Sequence, residues 1–343
     1  MRETASAGKY LTERLTIYPD YARDLDRWAH PDLHVRVLEM IDTEGFPRTD
    51  DWCPGDVEIA PPSEVMNAIV NPPKHVSQDV LTILDKAKTG EALAESDIVR
   101  LFQSRGDDFT AVVQCADALR SQTNGNSVSF VVNRNINYTN ICYFKCQFCA
   151  FSKGKLSENL RGRPYDLSDE ELTRRTQEAW ERGATEVCMQ GGIHPEYTGE
   201  TYINIVRTVK AAEPDMHVHA FSPLEVWQGA ATLGLEVSEY LQQLKDVGLN
   251  TLPGTAAEIL DDDVRDVICA DKINTEQWLQ VMEAAHGIGF KTTATIMYGH
   301  VEKLEHWARH ILRVRALQER TGGFTEFVPL PFVHMEAPMY LKG

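Results

Sequence analysis

The sequence of 343 residues is long enough for one domain of α/β-barrel size with additional segments, or for two ordinary domains. It carries 34 lysine and arginine residues against 51 aspartate and glutamate residues, and the formal net charge of −17 argues against binding to nucleic-acid backbones or anionic membrane surfaces. The first residues lead into no apolar segment, and no run of about eighteen apolar residues occurs, so the sequence predicts a cytoplasmic protein that neither is secreted nor spans a membrane.

The first part of the chain divides into two segments of different character. Residues 1–56 are polar and aromatic with one helix-like run at 33–41, which predicts a tail or linker. Residues 57–125 contain three apolar runs at helical spacing, separated by proline and glycine turn signals. We therefore expect a lead-in of three helices before the next segment begins.

From residue 126 to residue 343, short β-branched runs alternate with amphipathic helical runs. The predicted strands are residues 128–133, 185–189, 217–221, 250–252, 291–297 and 325–330. Strands that alternate with helices form parallel sheets, and six such units predict an α/β fold, a partial (β/α)6 barrel, with an open doubly wound sheet as the alternative. No glycine-rich phosphate loop follows any of these strands, so a nucleotide triphosphate or dinucleotide site is unsupported.

Three of the seven cysteines, Cys142, Cys146 and Cys149, lie within eight residues after the first predicted strand. Thiolates bind soft metals and iron–sulfur clusters, and this spacing can wrap one face of a cubane cluster. Three protein ligands leave one iron open for chemistry, whereas structural zinc and electron-transfer clusters use four. The spacing favours such a cluster; the alternatives are buried core cysteines and a zinc site completed by Cys188 or His194.

The spacing Cys142-x3-Cys146-x2-Cys149, with Phe148 before the last cysteine, resembles the signature of the radical S-adenosylmethionine (SAM) superfamily. The segments 133–140, 149–151, 190–195 and 217–223 resemble its deazaflavin and futalosine branches, and with residues 152–154 the resemblance is to the tyrosine-utilising half of the FO synthase family. It implies a radical SAM partial barrel at 126–343 with an N-terminal helical extension. Residues 1–56 resemble the end of the partner half of fused FO synthases, and the family continues beyond residue 343, so we expect a piece truncated at both ends.

What the resemblance implies is a transferase that forms a carbon–carbon bond. A 4Fe-4S cluster on the three cysteines would bind SAM, and one electron from a reductant would release a deoxyadenosyl radical. The radical would take hydrogen from L-tyrosine, whose 4-hydroxybenzyl fragment would add to 5-amino-6-(D-ribitylamino)uracil, and the partner radical SAM half of FO synthase would close the ring.

The resemblance also suggests which residues contact the cofactor. Phe148 belongs to the cysteine motif. The segment Gln190, Gly191 and Gly192 fits a backbone that approaches the methionyl group closely, because glycine lacks a Cβ. Gly299 and Glu302 match two positions of an adenine-contacting stretch on the fifth strand.

Two histidines are candidates for substrate binding or proton transfer. His219 lies in the third predicted strand on one face with His217, and His300 follows the end of the fifth. Structural roles for both are the alternative.

Two other functions stay open on the sequence. A futalosine-pathway radical SAM enzyme of menaquinone synthesis shares much of the same sequence pattern. A non-catalytic iron–sulfur electron-transfer or scaffold fragment is the alternative of another class.

Overall fold

The computed structural model describes residues 22–28, 31–39, 41–43, 45, 70–151, 164–333 and 337–341. The chain divides into two compact units, residues 1–72 and residues 73–343. In the first unit, the described residues form α1 (Leu25–Trp28) and α2 (Pro31–Glu39), which confirms the predicted helical run. Most of the rest of the predicted tail lies outside the described residues, and the division of the chain at residues 56 and 125 stays a prediction.

The second unit begins with the three predicted helices, α3 (Gln78–Lys88), α4 (Glu95–Phe102) and α5 (Asp107–Asn124). Helices α3 and α5 pack against each other through a small apolar cluster that includes Val80 and Cys115. Asp108, at the start of α5, accepts the backbone N–H of Ser77 at 2.7 Å. This bond ties the turn before α3 to the third helix.

A six-stranded parallel sheet with the strands in sequence order forms the rest of the second unit. The elements are β1 (Asn133–Asn137), α6 (Asp169–Glu181), β2 (Glu186–Gln190), α7 (Gly199–Ala212), β3 (His217–His219), α8 (Pro223–Leu233), α9 (Val237–Asp246), β4 (Thr251–Leu252), α10 (Asp262–Ile268), α11 (Thr275–Gly287), β5 (Lys291–Tyr298), α12 (Leu304–Thr321), β6 (Phe324–Pro331) and α13 (Pro338–Leu341). The order and direction of the strands confirm the predicted α/β partial barrel.

Alternate residues of β1 to β4 point toward the helices and form the main core. Ile136, Val187, Val218 and Leu252 are fully buried and pack with residues of the surrounding helices. Such burial stabilises by roughly 25 cal/mol per Å² of apolar surface removed from water. One face of the sheet is therefore covered by helices, and the side chains of the other face are free to form a site.

The prediction of the first strand at residues 128–133 was wrong, because the strand lies one segment later in the chain. Val128 and Phe130 are 89% and 87% exposed, and the strand begins only at Asn133. Residues 133–137 pair with β2 along their whole length, with Ile136 opposite Met189. A β-branched run favours a strand only when it has a partner strand and a core to cover, and here the asparagine-rich segment has both.

Within the described ranges, we find no helix that combines the length and the apolar character needed to cross a membrane.

Candidate active site

The cysteine loop leaves the end of β1 and is anchored at its start by buried polar residues. Thr139 and Asn140 are 0% and 2% exposed. The Thr139 hydroxyl donates to the carbonyl of Tyr165 at 2.8 Å, and the Asn140 side chain accepts the amide of Tyr165 at 2.8 Å. These bonds fix the direction in which the chain enters the loop.

The middle of the loop is held by the last residue of α10 and by the segment that follows it. The amide of Gln147 donates to the carbonyl of Ile268 at 2.7 Å, and the amide of Lys145 donates to the carboxylate of Asp271 at 2.8 Å. The loop is therefore clamped between the ends of β1 and α10, so its three thiols are presented by an ordered backbone.

All three cysteines of the loop are half-buried free thiols. Burial raises the pKa of the Cys146 thiol, and the neighbouring ammonium of Lys272 opposes that rise. Lys272 itself is buried, pairs with Glu258 at 2.7 Å, and lies with its Nζ 5.4 Å from the centre of the Phe148 ring. A positive charge thus lies beside the loop from which thiolates would bind a metal.

Gly191 and Gly192 lie where the backbone approaches other parts of the chain closely. A Cβ on Gly191 would lie 2.3 Å from the ring of Tyr138, and one on Gly192 would lie 2.3 Å from the carbonyl oxygen of Ile141 and 2.9 Å from the Cβ of Cys142. These glycines let the end of β2 pack against the cysteine loop. Their contact with a cofactor stays a prediction.

Glu225 joins the ends of the first three strands. Its carboxylate is 1% exposed and accepts hydrogen bonds from the Tyr138 hydroxyl, from the Gly191 amide at 3.0 Å and from the Ser222 amide at 2.6 Å. Burial raises the pKa of Glu225, and hydrogen bonds from Ser222 and Tyr138 act in the opposite direction. The sequence signal was a capping box, Ser222-Pro223-Leu224-Glu225, which predicts a helix start but not this bridge.

The face of the sheet opposite the helices is polar along β1 to β4 and at the start of β5, whereas Met297, Val328 and Leu330 make it apolar toward the end of β5 and in β6. By strand alternation and register it carries side chains that are exposed or half-buried, namely Asn133, Asn135, Asn137, Glu186, Cys188, Gln190, His217, His219, Thr251 and Thr293. A closed (β/α)8 barrel fills this space with branched apolar residues. The polar lining instead offers hydrogen-bonding groups to a polar ligand.

His219 lies in this polar face, where the sequence placed it. Its Nδ1 is 2.7 Å from the hydroxyl of Thr251, and the Nε2 of His217 is 2.8 Å from the same oxygen. Burial, together with the charge of His217, lowers the pKa of His219 to about 4, so its imidazole is neutral near pH 7. Gln190 lies on the same face, with its amide 3.7 Å from the Cys188 sulfur.

The turn after β5 is folded around Glu302. Its carboxylate accepts the amides of Gly299 and His300 and the indole N–H of Trp307 at 2.9 Å, and Gly299 has a φ of 97° that favours glycine. Burial raises the pKa of Glu302, but these amide hydrogen bonds hold it below the usual value. The two residues shape the turn; their contact with an adenine ring stays a prediction.

His300 is a buried part of the same turn. Its side chain is 0% exposed, with Nε2 3.1 Å from the carbonyl of Met297 and Nδ1 3.0 Å from Glu302. Burial lowers the pKa of His300, against the effect of Glu302. Both ring nitrogens face groups of the turn, which fits the structural alternative, and the catalytic role stays a prediction.

The donor set fits an iron–sulfur cluster. In the part of the chain that the structure describes, no three histidine, cysteine, aspartate or glutamate side chains converge as a single metal ion requires, so the zinc alternative gains no support. The ligands of a cubane bind different irons and need not converge on one point. Three half-buried thiols on one clamped loop, next to a buried cation, match that chemistry.

Comparison with known proteins bears on this loop directly. The Radical SAM superfamily matches residues 136–314, which is more than half of the chain and includes all three cysteines. The chain belongs to the radical SAM superfamily. Membership gives it a 4Fe-4S cluster and S-adenosylmethionine as cofactors.

Among the relatives of this radical SAM chain is the FO synthase of Mycobacterium leprae, 41% identical over an alignment of 379 positions that covers 99% of this chain and 44% of that protein. Another is the 5-amino-6-(D-ribitylamino)uracil–L-tyrosine 4-hydroxyphenyl transferase of Methanocaldococcus jannaschii, 46% identical over 254 residues, with 73% of this chain and 69% of that protein covered. The chain spans less than half the length of the FO synthases it matches.

Solved structures support the radical SAM fold. The chain is similar to HydG, a maturase of the [FeFe]-hydrogenase, with a TM-score of 0.58, 16% identity, and coverage of 79% of this chain and 58% of that one. It is also similar to methylornithine synthase PylB, with a TM-score of 0.57, 20% identity, and coverage of 75% and 70%. At these identities the likeness concerns the fold alone.

Proposed function

We propose that this chain transfers the 4-hydroxybenzyl group of L-tyrosine to 5-amino-6-(D-ribitylamino)uracil, as the tyrosine-utilising half of an FO synthase. The observation that carries the proposal is its 46% identity to the transferase of that name, in a chain whose three-cysteine loop follows β1.

The topology supports a common site for cofactor and substrate. The cysteine loop follows β1, Gly191 and Gly192 follow β2, and the turn at Gly299 follows β5. In parallel α/β folds these carboxyl ends of the strands meet on one side, where ligands bind. The polar face begins at the same edge, so a substrate lying along it would reach the cofactor.

The chemistry of the polar face suits the proposed acceptor. A ribityl chain is a row of hydroxyl groups, and a diaminouracil ring carries several donors and acceptors. Asparagine, glutamine, histidine and threonine side chains can satisfy both kinds of group. An apolar barrel interior would leave those hydroxyls unpaired at a cost of about 1–3 kcal/mol each.

Five of the predicted site residues have a proposed role here. Cys142, Cys146 and Cys149 would hold the cluster, which together with S-adenosylmethionine supplies a deoxyadenosyl radical when bound. Phe148 lies against apolar residues next to the loop and would help to exclude water. His219, held at Nδ1 by Thr251, would present Nε2 to the substrate as a neutral hydrogen-bonding group.

The remaining partners and the cellular location stay predictions from the sequence. They are a one-electron reductant, the second radical SAM half of FO synthase, a cytoplasmic location, and no nucleic-acid or membrane partner.

The test is a product assay with the reconstituted chain. The protein, loaded anaerobically with iron and sulfide, is mixed with tyrosine, the diaminouracil, S-adenosylmethionine and dithionite. We expect mass spectrometry to find the 4-hydroxybenzyl adduct of the uracil, with deoxyadenosine and methionine as co-products. Cys142→Ala should abolish all three products, whereas Cys115→Ala, buried between α3 and α5, should keep them.

Two results would overturn the proposal. Turnover of a futalosine without any uracil adduct would favour the menaquinone-pathway alternative. A loaded cluster that never yields deoxyadenosine would favour the non-catalytic fragment.

A further inference from the structure

A buried ion pair lies beside the cysteine loop, and neither of its residues belongs to a recognised sequence motif. The side chains of Lys272 and Glu258 are only 6% and 8% exposed, and the Lys272 ammonium is 2.7 Å from one carboxylate oxygen of Glu258. Taking two charges out of water costs several kcal/mol per ion, which a single hydrogen bond does not fully offset. Stability of the fold is therefore a weak explanation for this pair.

The pair is arranged asymmetrically. The second oxygen of Glu258, Oε2, is buried without a hydrogen-bond partner among the described residues. The ammonium of Lys272, by contrast, has a second neighbour: it lies 5.4 Å from the centre of the Phe148 ring. The positive end of the pair therefore lies next to the cysteine loop, and its charge acts on the Cys146 thiol more strongly than the charge of Glu258 does.

Hydrogen bonds to the residues just before Lys272 hold that segment against the loop. Ile268 and Asp271, in the four residues before Lys272, accept the amides of Gln147 and Lys145 at 2.7 Å and 2.8 Å. Cys146 lies between those two anchored residues, and it packs with Phe148 against the same apolar cluster that contains Ile268. The clamp keeps the backbone of Lys272 next to the loop, and the ion pair with Glu258 at 2.7 Å holds the ammonium there.

A cluster bound by three thiolates gains negative charge when it accepts an electron. Its reduction potential depends on nearby charge, on hydrogen bonds to sulfur and on exposure to water. A fixed cation in a low-dielectric site favours the more negative state, and an anion disfavours it. Lys272 would therefore stabilise the reduced state of the cluster, and Glu258 would destabilise it.

We propose that Lys272 is a positioning charge that raises the reduction potential of the cluster held at Cys146, and that Glu258 moderates this effect. Lys272 acts through the cluster and does not contact the substrate. The inference needs the cluster on the three cysteines but neither tyrosine nor the uracil, so it is independent of the proposed transfer reaction.

The test is the midpoint potential of the cluster, followed by electron paramagnetic resonance during a redox titration of the full chain without substrate. We expect Lys272→Met to lower the potential and Glu258→Gln to raise it, with the double variant between the two. Lys245→Met is the matched control, because the Lys245 ammonium lies 5.6 Å from the Phe290 ring on the helical side of the sheet; it should leave the potential unchanged.

A purely structural pair would behave differently, since loss of either partner would disturb the loop in the same way. Shifts of the same sign in both single variants, or no shift in either, would overturn the proposal. If Lys272→Met fails to load a cluster, the Glu258→Gln variant alone decides. An unchanged or lowered midpoint potential in that variant would then overturn the proposal. A wild-type chain that binds no cluster would overturn both this inference and the assignment of the three cysteines.

Discussion

The carboxylate of Glu225 accepts the backbone amide of Gly191 at 3.0 Å, which joins the start of α8 to the residue that follows β2. The same buried group accepts the Tyr138 hydroxyl just after β1. One side chain thus sets the spacing of three strand ends next to the cysteine loop.

Replacing Glu225 by alanine should destabilise the chain strongly. The Tyr138 hydroxyl and the Gly191 amide would both be left buried without an acceptor, which costs about 2–4 kcal/mol in unfolding free energy. Glu239→Ala is the matched control, because Glu239 caps α9 from the same N3 position but is exposed; we expect it to cost about 1 kcal/mol or less. Equal losses in urea unfolding would contradict the bridging role.

Gly192→Ala should impair cluster loading more than folding. The added methyl group would meet the carbonyl of Ile141 at 2.3 Å and displace the loop that carries Cys142. Iron content and visible absorbance after reconstitution should fall several-fold. Gly287→Ala, at the end of α11 where nothing lies within 4 Å of the new Cβ, should load normally. Full loading of the Gly192 variant would show that the loop tolerates the shift.

Thr251→Val should weaken the proposed reaction while keeping the shape of the site. The hydroxyl of Thr251 bridges His217 and His219 and thereby couples their tautomers. Its loss should lower kcat/KM for the uracil by about tenfold, the equivalent of one hydrogen bond of about 1.4 kcal/mol. Thr251→Ser keeps the hydroxyl and should retain most activity. An active valine variant would remove His219 from the proposed site.

The stability of the chain should fall with pH below about 6.5, partly because of His310. Burial, followed by the charges of Arg265 and Arg313, lowers the pKa of His310 to about 3, and its Nδ1 accepts the Leu260 amide at 2.9 Å. Below about pH 6.5 the unfolded chain binds a proton that the folded chain does not, so the unfolding free energy declines by up to about 1.4 kcal/mol per pH unit.

This effect is measured by comparing wild type with His310→Asn, whose amide oxygen can still accept the Leu260 amide. Between pH 7 and pH 5 the wild type should lose about 2 kcal/mol more than the variant. Parallel pH profiles would mean that His310 contributes nothing to the acid sensitivity.

The sequence predicted the parts of the site that depend on local pattern. The cysteine spacing, the alternation of strands and helices, and the shared face of His217 and His219 are all local, and the structure places them as expected. Resemblance to a known family then supplied the cofactors.

What the sequence could not reveal depends on distant contacts. The strand at 128–133 was misplaced because propensity does not show which segment finds a partner. Lys272 and Glu258 are fourteen residues apart, and Glu225 and Tyr138 eighty-seven apart, so no periodicity links them. Their roles follow from burial in the folded chain.

The most direct test of the central claim follows the aromatic ring of tyrosine. The reconstituted chain is given tyrosine labelled in its ring carbons, with unlabelled diaminouracil, S-adenosylmethionine and dithionite. We expect the complete ring label to appear in a uracil adduct, in step with deoxyadenosine. Deoxyadenosine formed while all of the label stays in tyrosine would contradict the transferase proposed for this chain.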